Sequence, residues 1–192
     1  MKDSDIRAVI LTDLFKAYTN DPNTTIIEEL GLCQGEARID IAVVNGSIHG
    51  FEIKSDQDTL IRLADQVKIY NRSLDSVTLV VGNKHLDKAL KVIPKWWGVI
   101  IAKETSGQVY LKMRRKGRKN PCLDPLAVVQ LLWRNEALKA LKERGLHYGI
   151  ASKPRAILWQ KLASHVTHEE LMSLVRGILK SRENWRSGYQ QA

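Results

Sequence analysis

The sequence predicts a mixed α/β sheet flanked by helices and followed by a helical C-terminal extension, on three observations. Apolar residues alternate on both sides of Asn45-Gly46, which is the pattern of a β-hairpin. Strand–helix–strand units come next, and these need parallel crossovers. Beyond residue 120 the apolar spacing is helical.

In chain order, Ile6, Val9, Ile10, Leu14 and Phe15 recur at three-to-four spacing, so residues 4–18 read as a helix with Ser4 or Asp5 at its cap. Asp21-Pro22-Asn23 breaks it. Residues 25–32 are apolar but short, open between a strand and a turn of helix. Residues 38–55 carry the hairpin. A helix over 56–72 has Leu60, Leu63, Val67 and Tyr70 as its stripe. The β-branched run 77–81 ends at Gly82 and reads as a buried strand. A helix over 84–93 stops before Pro94, a strand covers 97–102, and 109–113 forms an edge strand. A boundary near Asn120-Pro121 divides an α/β core (1–119) from the helical extension (120–192). Helices there cover about 124–144, 153–166 and 167 to about Trp185, the last opening on a capping box of Thr167 and Glu170.

The 192 residues suffice for one well-buried core, and 44% hydrophobic with 27% charged residues excludes wholesale disorder. Thirty Lys and Arg against twenty-one Asp and Glu leave a net charge of +9, which favours a polyanionic partner. No apolar run is long enough to span a membrane, and the N-terminus lacks the basic-then-apolar order of a secretory signal. Cys33 and Cys122 have no partner at metal-binding spacing, so the expectation is a cytoplasmic protein with two free thiols.

The hairpin is where chemistry can be argued. Ile39, Ile41 and Val43 alternate in one strand, Phe51 and Ile53 in the other. Only a three-residue loop, Asn45-Gly46-Ser47, pairs these sets, with Ile41 opposite Phe51 and Ile39 opposite Ile53. A one-residue slip would turn a strand inside out. In that register Asp40 lies across from Glu52, with Lys54 on the same face. Opposed Cβ atoms stand roughly 4.5–5.5 Å apart, where two carboxylates repel unless a cation lies between them. A hard divalent ion such as Mg²⁺ prefers oxygen ligands of this kind. Two acids and a lysine are the parts needed for phosphodiester hydrolysis, with Lys54 orienting or neutralising the nucleophile. Taken singly, each of these residues reads equally as part of a solvated hairpin face.

Asp40, the run Gly50-Phe51-Glu52-Ile53-Lys54-Ser55-Asp56, and a helix bearing Gln66 and Tyr70 resemble the PD-(D/E)XK nuclease superfamily, over about residues 24–101. More narrowly, the sequence is similar to a set of small, largely uncharacterised bacterial proteins within that superfamily. The resemblance implies a restriction-endonuclease-like sheet, and Asp40 and Glu52 ligating Mg²⁺ or Mn²⁺ with the Ile53 carbonyl. It also implies Lys54 holding the attacking water, Gln66 as an auxiliary residue, and Glu29, with Glu28 close behind, completing the site. Ile39 stands where the motif has proline.

Lys112 to Lys119 holds six basic residues in eight positions. It reads as a solubilised loop or, in Arg114, Arg115, Lys116, Arg118 and Lys119, as a grip on a phosphate backbone. Of Trp96 and Trp97, one is expected in the core and the other is free to stack on bases. His49 is expected as a satisfied, partly buried residue. The C-terminal helices carry Arg155, Lys161, Arg176, Lys180 and Arg182 without a helix-turn-helix signature. The leading expectation is therefore a Mg²⁺- or Mn²⁺-dependent nuclease acting on nucleic acid, DNA rather than RNA, with a homodimer left open. The alternatives are a non-cleaving nucleic-acid-binding protein on the same fold, or an interaction protein that docks a partner through its C-terminal helices.

Overall fold

The computed structural model describes residues 1–182. Six strands form one sheet in chain order: β1 (Thr25–Leu32), β2 (Ala37–Val44), β3 (Ile48–Lys54), β4 (Ser76–Gly82), β5 (Gly98–Thr105) and β6 (Gln108–Arg115). The central pairs β3–β4 and β4–β5 are parallel, and the outer pairs are antiparallel. The helices are α1 (Asp3–Tyr18), α2 (Leu63–Ser73), α3 (Leu86–Leu90), α4 (Pro125–Val129), α5 (Arg134–Glu143), α6 (Arg155–His165) and α7 (His168–Ser181). The expected end of the last helix at Trp185 lies outside the described residues. Among the described residues no helix is long and apolar enough to cross a membrane.

The sheet is a central layer with apolar residues on both faces. α1 covers one face, where Ile6 and Ile10 meet Ile41, Val43, Phe51, Ile53 and Val80. α2 and α4–α7 share a larger cluster on the other face, built on Ile39, Val44, Ile48, Leu79 and Val81 and reaching Trp97, Trp159 and Leu171. The run of Leu79, Val80 and Val81 in β4 follows from this, since a strand buried on both sides has no solvent face to keep polar. It also corrects the expectation of one polar hairpin face: Ala42, Val44 and Ile48, of opposite parity to Ile41 and Val43, are buried as well.

The three-residue loop is present. Val44 pairs with Ile48 and Ile41 with Phe51, as the apolar pattern requires. The ladder then stops, so Ile39 does not reach Ile53 and pairs instead with Leu30 of β1. Pairing between β1 and β2 skips Glu29 and Asp40, and Glu29 takes a left-handed φ of 58°. The local rotation sends Ile39 and Ile41, two residues apart, to opposite faces.

Three helices are shorter than their periodicity suggests. Residues 56–62 form turns because side chains capture the backbone: Asp58 Oδ2 accepts from Ser55 N at 2.7 Å, and Asp56 Oδ1 from Lys84 N at 3.0 Å. Gly82 permits this approach, since a Cβ there would stand 2.3 Å from Asp56 Oδ1. The expected 84–93 helix is a 3₁₀ turn followed by the five-residue α3. The expected 124–144 helix breaks between α4 and α5, where Leu131 and Leu132 are both buried. Trp133 restarts it, its N–H donating to Glu136 at 2.7 Å. Residues 25–32 resolve as strand β1, and α7 carries the expected Thr167–Glu170 capping box.

Candidate functional site

The rotation at Asp40 opens a cleft of about 640 Å³ between β2, β3 and α2, with Asp40, Glu52, Lys54 and Gln66 on its walls. Where the ladder ends, the Asp40 side chain takes over. Its Oδ2 accepts from Ile53 N at 2.6 Å, replacing the carbonyl that a continued β2 would have presented. Its Oδ1 accepts from Arg7 of α1 at 2.9 Å, and the same guanidinium reaches the Asp40 carbonyl at 3.1 Å and Glu29 at 2.8 Å.

Glu52 sits deeper, 1% exposed. Its Oε1 accepts from Lys54 Nζ at 2.5 Å and Gln66 Nε2 at 2.7 Å. The Tyr70 hydroxyl lies 2.7 Å from Oε2 and 2.6 Å from the Arg38 carbonyl, so one proton serves two acceptors. Gln66 Oε1 is buried with no hydrogen-bond partner. An orphan acceptor beside two carboxylates is a position at which a cation or a water proton would be stabilised.

Burial, then the charge of Glu52, raises Asp40 from 3.8 to about 7; the Ile53 N–H and Arg7 pull the other way without prevailing. Burial and then Glu52 push the Tyr70 hydroxyl well above the ordinary phenol range. Two acids are therefore held together against desolvation and mutual repulsion, as is common where a site serves function rather than stability.

The fold thus brings together Asp40, Glu52, Lys54 and Gln66, with the Ile53 backbone beside them. Glu29, rather than Glu28, lines the cleft, on its rim and drawn toward Arg7 and Arg38. Arg7 went unread in the sequence, where it shows only as a charge on an N-terminal helix; Tyr70 shows in the apolar stripe and in the resemblance, but not as a partner of Glu52. Arg38 and Arg62 are also on the cleft, and neither was expected there.

The expected phosphate grip lies elsewhere. Lys116, Arg118 and Lys119 border a groove at the other end of β3, beside Gly46, Ser47 and His49. Arg114 is exposed on β6. Arg115 does not line that groove: its guanidinium donates to the Trp97 carbonyl at 2.7 Å and the Pro94 carbonyl at 3.0 Å, which anchors the loop instead. Trp97 is fully buried and Trp96 packs edge-on against it. His49 stacks on Phe51 at 4.4 Å with Nε2 2.9 Å from Thr78 Oγ1, and burial lowers its pKa from 6.5 to about 4. Cys33 and Cys122 are both free.

Fold and cleft together define a mixed α/β protein with a buried acid–lysine cluster at a splayed strand pair. The family model for bacteriophage P4 protein cII matches residues 1–190. Protein cII of Enterobacteria phage P4 is 27% identical over 182 residues, covering 95% of this chain and 68% of that protein. The chain therefore belongs to the bacteriophage P4 protein cII family. No solved structure matches it. This overturns the assignment to the PD-(D/E)XK superfamily. That likeness rested on short runs in the first half of the chain, whereas the cII family accounts for almost all of it.

Proposed function

We propose that this chain binds a divalent cation, Mg²⁺ or Mn²⁺, in the cleft and hydrolyses phosphodiester bonds of nucleic acid, DNA being the expected polymer. The reading rests on the side chains and not on superfamily membership. The observation that carries it is the enclosure of Asp40 and Glu52 together at the base of a cleft, where burial first and the charge of Glu52 second raise Asp40 to about 7.

The donor set suits a hard ion. Two carboxylates, the Ile53 carbonyl and the orphan Gln66 Oε1 are all oxygens, and Mg²⁺ commonly keeps several waters beside one or two carboxylates. Among the described residues no group of three or more His, Cys, Asp and Glu is arranged to hold a metal, so water and substrate oxygens would complete the shell. Bound there, the ion would supply Lewis acidity and charge neutralisation for attack by water on phosphorus. Lys54, against Glu52, places a cation on the cleft floor where charge develops. Gln66 and Tyr70 fix the Glu52 carboxylate, and Arg38 and Arg62 face the mouth, where a phosphate would enter. A restriction-endonuclease-like arrangement of the sheet and a cytoplasmic setting belong to the same proposal. They are supported by the splay of β2 from β3 and by two free cysteines.

A second reading has its own support. Both acids are already served by internal donors, Arg7 and Ile53 N for Asp40 and Lys54, Gln66 and Tyr70 for Glu52. A self-satisfied network of this kind suits a nucleic-acid-binding protein that does not cut.

Incubation of purified protein with plasmid and labelled single- and double-stranded oligonucleotides, with Mg²⁺ or Mn²⁺, separates the two. Product that EDTA abolishes and that Asp40→Asn and Glu52→Gln both remove is the expected result. Binding without metal-dependent product establishes the second reading, and product that survives both substitutions overturns the site.

A further inference from the structure

We infer that the groove across the N-terminal ends of β3 and β4 is a nucleic-acid phosphate-backbone site separate from the acidic cleft, gripped by Lys116, Arg118 and Lys119 on one wall and Arg176 of α7 on the other. The groove is about 880 Å³, and His49, Ser76 and Thr78 lie along it. Five residues of β3 separate His49 from Lys54, which at about 3.3 Å per residue sets the groove roughly 16 Å from the cleft.

The loop that carries the three cations is held rigidly. Arg115 anchors one end through its two backbone acceptors. Arg118 N donates to the Trp96 carbonyl at 2.8 Å, midway along. At the far end the buried Asn120 amide donates to the Asn71 and Leu74 carbonyls at 2.7 and 2.8 Å. Between the anchors Gly117 lies flat on Gly98, and a Cβ on either would stand 3.1 Å from the other's nitrogen. A loop that served only solubility would need none of these anchors. Here the backbone is fixed while Lys116, Arg118 and Lys119 remain exposed, without an ion pair among the described residues.

Across the groove the Arg176 guanidinium donates to the Met172 and Gly46 carbonyls, neutral acceptors that position it without cancelling its charge. Two carboxylates border the groove. Asp75 is 8% exposed and turned inward, accepting from Ile48 N at 2.7 Å; Glu169 lies on the first turn of α7. Four cations thus face the groove against one outward carboxylate, on two rigid walls. Pre-set cations lose little entropy when a polyanion docks, and the counterions they release make its binding salt-dependent. The groove is concave and has hydroxyls of Ser76 and Thr78 along it, which suits a phosphate chain better than a flat membrane.

The inference shares only the nucleic-acid element of the proposed function and does not depend on cleavage. The test is fluorescence anisotropy with fluorescein-labelled 20-nucleotide DNA, single-stranded and duplex, in EDTA across 50–200 mM salt. Replacing Lys116, Arg118 and Lys119 together by Ser should weaken binding at least tenfold and flatten the salt slope by about 2, at about 0.7 per single-strand phosphate contact. Arg176→Gln should weaken it severalfold. A control that replaces exposed Lys16, Lys91 and Lys142 by Ser should lose less than threefold. All variants keep Arg115, Gly117 and Asn120, and equal thermal midpoints verify the fold. The inference is overturned if the loop variant binds within threefold of wild type. It is also overturned if the control loses as much, which would leave bulk charge only, or if wild type binds neither DNA at 50 mM salt. Because EDTA is present throughout, these outcomes are read independently of whether the cleft cuts.

Discussion

Asp40 and His49 pull the stability of this protein in opposite directions as pH changes, and substituting either exposes the other. Asp40 titrates near 3.8 in an unfolded chain and at about 7 in the fold. Between those values the unfolded chain has released a proton that the folded chain keeps, so stability falls as pH rises. At 1.36 kcal/mol per pH unit the loss by pH 7 totals about 4 kcal/mol. His49 is the reverse case, lowered by burial from 6.5 to about 4. Over that window the unfolded chain holds the extra proton, and stability rises with pH by about 3 kcal/mol. From pH 4 to 6.5 the two slopes nearly cancel, and above 6.5 the Asp40 loss stands alone.

The perturbation is Asp40→Asn, whose amide oxygen can still accept from Ile53 N. Urea unfolding in EDTA at pH 4.5, 5.5 and 6.5 should show wild-type stability changing by less than about 1 kcal/mol. The variant should gain about 2 kcal/mol over the same range, the His49 slope uncovered. His49→Gln should show the opposite trend, losing a similar amount as pH rises. If both single variants stay as flat as wild type, neither group is perturbed as the geometry requires, and the account of the cleft's electrostatics fails.

Other perturbations test the packing and the proposed cation. Glu52→Leu leaves the Lys54 amine buried without its partner and should cost about 3–5 kcal/mol in urea unfolding, whereas Glu52→Leu with Lys54→Met should recover most of it. A double variant no better than the single would place the loss in the bonds to Tyr70 and Gln66. Ile6→Ala, in the cluster under α1, should cost about 2–5 kcal/mol with unfolding still a single transition, since both clusters share the sheet. Arg7→Gln removes the internal cation from Asp40 and Glu29, so Mn²⁺ should bind severalfold tighter by calorimetry at pH 7.5. Weaker binding would mean Arg7 builds the site and does not compete for it.

Elements whose cause is local were legible in the sequence. The three-residue hairpin loop follows from matching Ile41 to Phe51, and β4 from a β-branched run too short for a helix. Elements decided by distant partners were not. Leu60 extends the stripe of α2 back into residues 56–62, yet the amide of Lys84, 28 residues beyond Asp56, draws that carboxylate into a turn. Leu131 and Leu132 fit a helix equally well, but burying both requires a break.

The same distinction explains the site. Parity placed Asp40, Glu52 and Lys54 near one another, but on the premise of a continuous strand. In the fold the strands part at Asp40, and its carboxylate finishes the ladder by accepting from Ile53 N. One oxygen of Asp40 is therefore structural, which leaves Oδ1 as the one that would meet a cation. That oxygen is held by Arg7, 33 residues earlier on a helix whose apolar pattern says nothing of the hairpin. A cation entering the cleft must displace Arg7 from Asp40 or share the carboxylate with it. The Mn²⁺ affinity of Arg7→Gln consequently measures whether the cleft is a metal site held shut by its own helix or an ion-pair network complete in itself.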